Sequence, residues 1–215
     1  MKLGVGFVLV LSSLLSGGCA SGPSGHPTAS SLNVYRAASQ LPAELRRVAV
    51  LPMTCEGNWI AKEGRTALQP ILQTELGKTR YFELEFLSAE QMRAITGQSE
   101  WTSDARLPSD FFARLHEVTG CDAVFFCRLT VFRPYPPLAV GWSLKLVDVQ
   151  QRRIVWAIDQ VFDAGMPAVA SRAQDYSSHN ISEPGALRES DGILESPRWF
   201  GQYAAAAALE TLPTR

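Results

Sequence analysis

The groups that carry most protein chemistry are scarce in this chain. It has three histidines, His26, His116 and His179, and no two of them share the spacing of a metal-ligand pair. Neither charge sign is in excess. Twenty Lys and Arg against 21 Asp and Glu leave a net charge of -1, which provides no basic field to attract nucleic acid. Four cysteines contain no CxxC pair, which argues against thiol-exchange chemistry. No glycine-rich phosphate loop or nucleophile elbow occurs. No apolar run approaches the roughly 20 residues that a spanning helix needs. The expectation is a protein without metal or cofactor, and not an enzyme.

The amino terminus is more informative. Lys2 provides a positive end, and Leu3 to Leu15 form an apolar run of about 13 residues, the length of a secretory signal's hydrophobic region. Ser16-Gly17-Gly18-Cys19 follows and has the form of a lipobox: small residues admit a peptidase to the extended backbone, and the Cys19 thiol takes the lipid. Residues 1–18 are then the signal peptide, and Cys19 becomes an acylated (palmitate-bearing) first residue that links the protein to membrane lipid. Ser16 departs from the usual leucine at that place. Ala20 after the cysteine, by its similarity to known sorting rules, favours the outer membrane, with the protein on its periplasmic side. Several acyl chains hold a protein stably where one does not.

Residues 20–43 are rich in Ser, Ala, Gly and Pro and offer few large side chains to bury, so residues 19–43 are expected to be a lipidated tether. Residues 44–215 are then one periplasmic domain of about 170 residues. Cys55, Cys121 and Cys127 remain in an oxidising compartment, where an odd count permits one bridge at most. Cys55 follows the first strand and Cys127 lies in a later one that could neighbour it. A Cys55–Cys127 disulfide and buried free thiols are both open readings.

Along the domain, Arg47 to Met53 (RVAVLPM) is a continuous apolar run, the pattern of a strand buried on both faces. A loop over 54–64 carries Trp59. Leu68, Leu72 and Leu76 at i+4 spacing predict a helix with Pro70 in its first turn or at a kink, and Gly77 as terminator. Phe82, Leu84 and Phe86 alternate with Glu83 and Glu85, a strand with one wet face. Ser88 and Gln91 form a capping-box pattern for a short helix with Met92 and Ile95. Ser109 is placed to cap a helix presenting Phe111, Phe112, Leu115 and Val118, which Gly120 ends. Asp122 to Arg133 and Leu138 to Val149 predict a strand pair joined by the proline-rich turn RPYPP, and Ile154 to Phe162 predicts a third strand. Residues 164–196 are mixed and polar, with a short helix near Val169–Asp175. Ser196-Pro197 starts a final helix.

This order predicts an α/β (α+β-like) fold. It has a mixed β-sheet with an early β-α-β unit, a late antiparallel meander, and helices packed on the sheet. Four phrases resemble the TolB amino-terminal and CsgG-like lipoprotein group, which includes LpoB-type activators of penicillin-binding proteins. They are RVAVLPM at 47–53, LGKTRYFELEFLS at 76–88, VTGCDAVFFCRLTVF at 118–132 and LKLVDVQQRRIVWA at 144–157. Gln151-Arg152 stands where that group usually has a turn glycine, and Cys127 where it often has glycine. The resemblance implies a TolB-N-like fold over roughly 44–163. It implies roles from secretion to synthase activation, so it does not settle function.

Membrane-spanning hairpins for a channel would need strands of about 9–11 residues with one apolar face. The hairpin at 122–149 is apolar on both faces, as a packed sheet requires. His116 is expected on a helix surface, and Asp148 in LVDV is expected to be structural. Asp159 and Asp163 lie along the late hairpin, and His179 sits near Asp175, Tyr176 and Ser178. The function expected is a non-catalytic protein-binding module in cell-envelope assembly or maintenance, its partner an unidentified envelope protein. Arg133, Tyr135, Pro136 and Pro137 form a stiff loop with an aromatic that could anchor that partner or be only a turn. Trp199, Phe200 and Tyr203 are expected to dock the last helix onto its own sheet. The alternative is a component of a secretion or transport assembly, for which a homo-oligomeric ring would be the sign.

Overall fold

The computed structural model describes Met1 and residues 32–55, 57, 59–180 and 190–215. Cys19 and His26 lie outside the described residues. The elements are β1 (Val34–Arg36), β2 (Arg47–Val50), β3 (Thr54–Cys55), α1 (Trp59–Lys78), β4 (Glu83–Phe86), α2 (Ala89–Thr96) and α3 (Phe111–Thr119), followed by β5 (Ala123–Arg133), β6 (Ala139–Asp148), β7 (Arg153–Asp163), α4 (Pro167–Asn180), a 3-10 turn (Ser190–Leu194) and α5 (Pro197–Leu209). They build one mixed sheet in the order β1-β7-β6-β5-β2-β4, with β3 paired to β5. β2 runs parallel to β4 and β5, which requires α1 to cross over the sheet. β5, β6 and β7 form the antiparallel meander. The mixed α/β class and the β-α-β start are as the sequence indicated.

Alternation along β2 explains why its run is apolar throughout. Val48 and Val50 face one core with Phe125, Leu144, Trp156, the α1 leucines Leu68, Leu72 and Leu76, and Phe200 of α5. Ala49 and Leu51 face a second core with Val124, Phe126, Met92 of α2 and Phe111 and Leu115 of α3. The first cover is large, and the second reaches no further across the sheet than Val147 and Val149 at the end of β6. Asp122 joins the two parallel strands at their starts. Its Oδ2 accepts the backbone N–H groups of Arg46 and Arg47, both at 2.9 Å.

Six local expectations are corrected. The tether does not extend to residue 43: Val34–Arg36 pairs with β7, and Leu41 is buried beside a bridge from Gln40 to Thr214. A three-residue strand leaves too little pattern to stand out against a Ser- and Ala-rich background. The segment 54–64 is not a loop, because Thr54–Cys55 pairs with β5 and α1 already starts at Trp59. Pro70 therefore lies inside α1, exposed, where its missing N–H removes one helical bond. Gly77 does not end that helix; Arg80 takes the left-handed conformation, at φ 54°. Ser109 is not the cap of α3: Asp110 holds that place and makes no side-chain cap bond. The helix expected near 169–175 spans Pro167–Asn180.

Other local devices are as read. Ser88 and Gln91 exchange the two capping-box bonds, Gly120 closes α3 at φ 66°, and Ser196 accepts the N–H of Trp199. At 151–152, where the resembling group has glycine, Arg152 takes φ 51°. Asp148 Oδ1 accepts the N–H of Gln151 at 2.8 Å and holds that turn, a structural role for the LVDV aspartate.

Candidate functional site

The proline-rich loop forms one end of the meander. Tyr135 at its tip is 70% exposed. The guanidinium of Arg133 ties the loop together: Nε donates to the Pro137 carbonyl, and a terminal nitrogen meets Asp163 at 2.6 Å. Asp163 also accepts the Gly165 N–H at 2.8 Å, and Ala164 N–H donates to the Leu138 carbonyl at 2.8 Å. The turn after β7 and the turn between β5 and β6 therefore form one unit. Arg133 and Asp163 are 30 residues apart in the sequence. Their pairing depends on β6 lying between β5 and β7, which local pattern does not reveal.

A second surface is a cleft of about 690 Å³ between α1 and α5. Leu68, Pro70, Ile71 and Phe132 give it an apolar floor, and Thr74, Arg198 and Gln202 a polar rim. α5 approaches α1 closely at one point, where a Cβ on Gly201 would lie 2.3 Å from Leu68. The cleft opens beside that contact. No local sequence pattern marks it, because its walls come from segments more than a hundred residues apart. The final-helix aromatics serve packing: Phe200 is fully buried and Tyr203 4% exposed, with Tyr203 edge-on to Phe162.

A smaller pocket of about 410 Å³ gathers Leu32, Arg172, Asp175, Tyr176, His179 and Glu210. Burial, together with the charges of Glu75 and Glu210, pushes the Tyr176 hydroxyl up to about 12. Burial likewise pushes Tyr203 to about 12. Both phenols are therefore protonated at neutral pH. His179 Nδ1 bonds within its own helix to the Asp175 carbonyl at 2.7 Å. His116 is exposed on α3 and bonds the Cys121 carbonyl at 2.8 Å. Asp159 is exposed on β7. Among the described residues no group of three or more His, Cys, Asp or Glu is placed to hold a metal ion, and no helix is long and apolar enough to cross a membrane.

Cys55, Cys121 and Cys127 are free. The Cys55–Cys127 bridge is corrected by register: Cys55 lies opposite Leu129, two residues along β5 from Cys127. The Cys127 thiol donates to the Leu51 carbonyl at 3.3 Å, and burial raises it to about 12, which keeps it protonated and unreactive.

Neither a protein-family model nor a curated protein sequence matches the chain. Solved structures do. A PelC dodecamer from Paraburkholderia phytofirmans matches with TM-score 0.49 and 10% identity, covering 86% of this chain and 98% of that one. Lipoprotein GNA1162 from Neisseria meningitidis matches at 0.40 and 15%, covering 63% and 99%. In fold the chain resembles the LpoB-like lipoprotein group. The LpoB C-terminal domain from Escherichia coli matches at 0.34 and 18%, covering 54% and 82%. At these identities the likeness concerns chain path, not activity.

Proposed function

We propose that the protein is an outer-membrane lipoprotein, acylated at Cys19 and facing the periplasm, that acts by holding another envelope protein rather than by catalysis. The observation that carries the binding reading is the cleft between α1 and α5. Its apolar floor with a polar rim is the anatomy of a groove that takes a helix or peptide of a partner. The anchor reading rests on the lipobox residues Ser16 to Cys19. Residues 20–31, between Cys19 and the described Leu32, can span at most about 40 Å. That favours a partner close to the same membrane over an enzyme across the periplasm.

The test is mild crosslinking in intact cells, capture of the lipidated protein and mass spectrometry, run on the natural chain and on Ile71→Glu. Ile71 is half-buried on the cleft floor, so a charge there blocks an apolar occupant. The expected result is a cell-wall enzyme or transporter component that Ile71→Glu loses while its unfolding midpoint stays near that of the natural chain. A partner held equally by both would move the binding site elsewhere. Recovery mainly of a closed ring of this chain would favour the alternative, a part of a secretion or transport assembly.

A further inference from the structure

We infer that the end of the meander formed by the 133–137 loop and the 163–166 turn is a lipid-contacting surface that seats the anchored protein on its own membrane; this rests on the Cys19 anchor reading. The loop stood out in the sequence as an anchor for a protein. Its place in the fold points to lipid. Tyr135, Met166 and Val161 are 70%, 45% and 39% exposed at or next to this end. They are held out by a rigid unit, since Arg133 bridges Pro137 and Asp163 and a Cβ on Gly165 would sit 3.5 Å from Pro137. The Arg133–Asp163 pair also leaves the contact side chains without net charge, which lowers the cost of entering the headgroup layer.

The route of the chain identifies the occupant. The Asn33 carbonyl accepts the Asp159 N–H at 3.0 Å, so the described chain on the Cys19 side ends, at Leu32, alongside β7 and heading toward Asp163. Asp159 is four residues before Asp163, about 13 Å from that end of the strand. Three exposed side chains are far short of the roughly 1,600 Å² of a stable protein interface. They suit a weak interfacial contact, which a lipid anchor makes effective by holding the two surfaces together. Tyrosine fits such a layer, with an apolar ring and a hydroxyl that stays wet.

The test places a benzophenone amino acid at position 135 in the full chain, and a control at position 118. Val118 is 64% exposed on α3, near the start of β5, about 33 Å along the strand from Arg133. Intact cells are irradiated, and both the adduct and the amino-terminal peptide are read by mass spectrometry. Phospholipid adducts at 135 and none at 118 are expected. A protein adduct at 135, no adduct there, or equal lipid adducts at both positions overturns the inference. Acylated Cys19 with no lipid adduct at 135 sinks the contact surface but leaves the anchor standing. An unacylated Cys19 removes the anchor reading, and the inference with it.

Discussion

The two halves of the sheet are built from similar residues and treated differently by the fold. β2 and the first half of β5 are buried on both faces: Val48 and Phe125 look into one core, Ala49 and Val124 into the other, all nearly inaccessible. β7 and β1 have one packed face. Trp156 and Ile158 are buried beneath the helices, while Tyr35, Ile154 and Val161 on these strands remain exposed. The difference lies in the covering helices. α2 and α3 are short and cover the β2, β4 and β5 side of one face, whereas α4 and α5 contact β7 on the other face only. An apolar residue on a strand is therefore a core residue in one half and a candidate contact in the other.

Four substitutions test this contrast, in decreasing order of expected effect. Phe125→Ala empties space beside Trp156, on which Phe125 stacks at 6.1 Å, and should cost about 3–5 kcal/mol in urea unfolding. A loss under about 1 kcal/mol would mean that the doubly covered half is not tightly packed. Asp122→Ala removes the acceptor of the Arg47 N–H where β2 meets β5 and leaves the Arg46 N–H with only the Glu44 carbonyl, at about 1–3 kcal/mol. The same change made in both halves sharpens the comparison. Val124→Thr buries a hydroxyl and should cost about 1–3 kcal/mol, whereas Val161→Thr should stay within about 0.5 kcal/mol. Equal losses would show that β7 is covered after all.

The smallest effect concerns Asp104, whose carboxyl a hydrogen bond from Lys145 at 2.6 Å holds below its ordinary value of 3.8, with Arg128 nearby at 3.1 Å. A depressed carboxylate adds stability that is complete above its unfolded value and fades as pH falls through the folded one. Lys145→Ala should thus lose about 0.2–1 kcal/mol at neutral pH, the range for an exposed pair, and the gap from the natural chain should close below its ordinary value. A gap that persists in acid would mean that Lys145 acts through packing of its stem.

The hairpins were legible because long apolar runs between turn residues, with alternation along Ile154–Phe162, are a strong local signal, and the loop 133–137 because three prolines cannot enter a ladder. β1 and β3 were not legible. Val34 finds its partner Ile158 more than a hundred residues away, and two or three residues carry no period. Pro70 suggested a late start for α1, yet an exposed proline inside a 20-residue helix gives up one hydrogen bond and keeps the leucine face. Between the two open readings of Cys55 and Cys127, free thiols and a bridge, two residues of register decided for free thiols, a quantity fixed by how β3 meets β5. Of the candidate site, the residues of the loop were visible and their bracing by Asp163 was not; the cleft had no local sign at all.

The sequence by itself determined the mixed α/β class, the parallel start and antiparallel finish of the sheet, the capping of α2 and α5, and the two-sided burial of β2. These depend on periodicity and on bonds between residues a few places apart. Only the tertiary structure decided which apolar side chains stay outside, that Val34–Arg36 pairs with β7, and that the turns at 133–137 and 163–166 act as one unit. Those depend on which helix covers which strand and on pairings across the whole chain, and no local pattern of side chains encodes them.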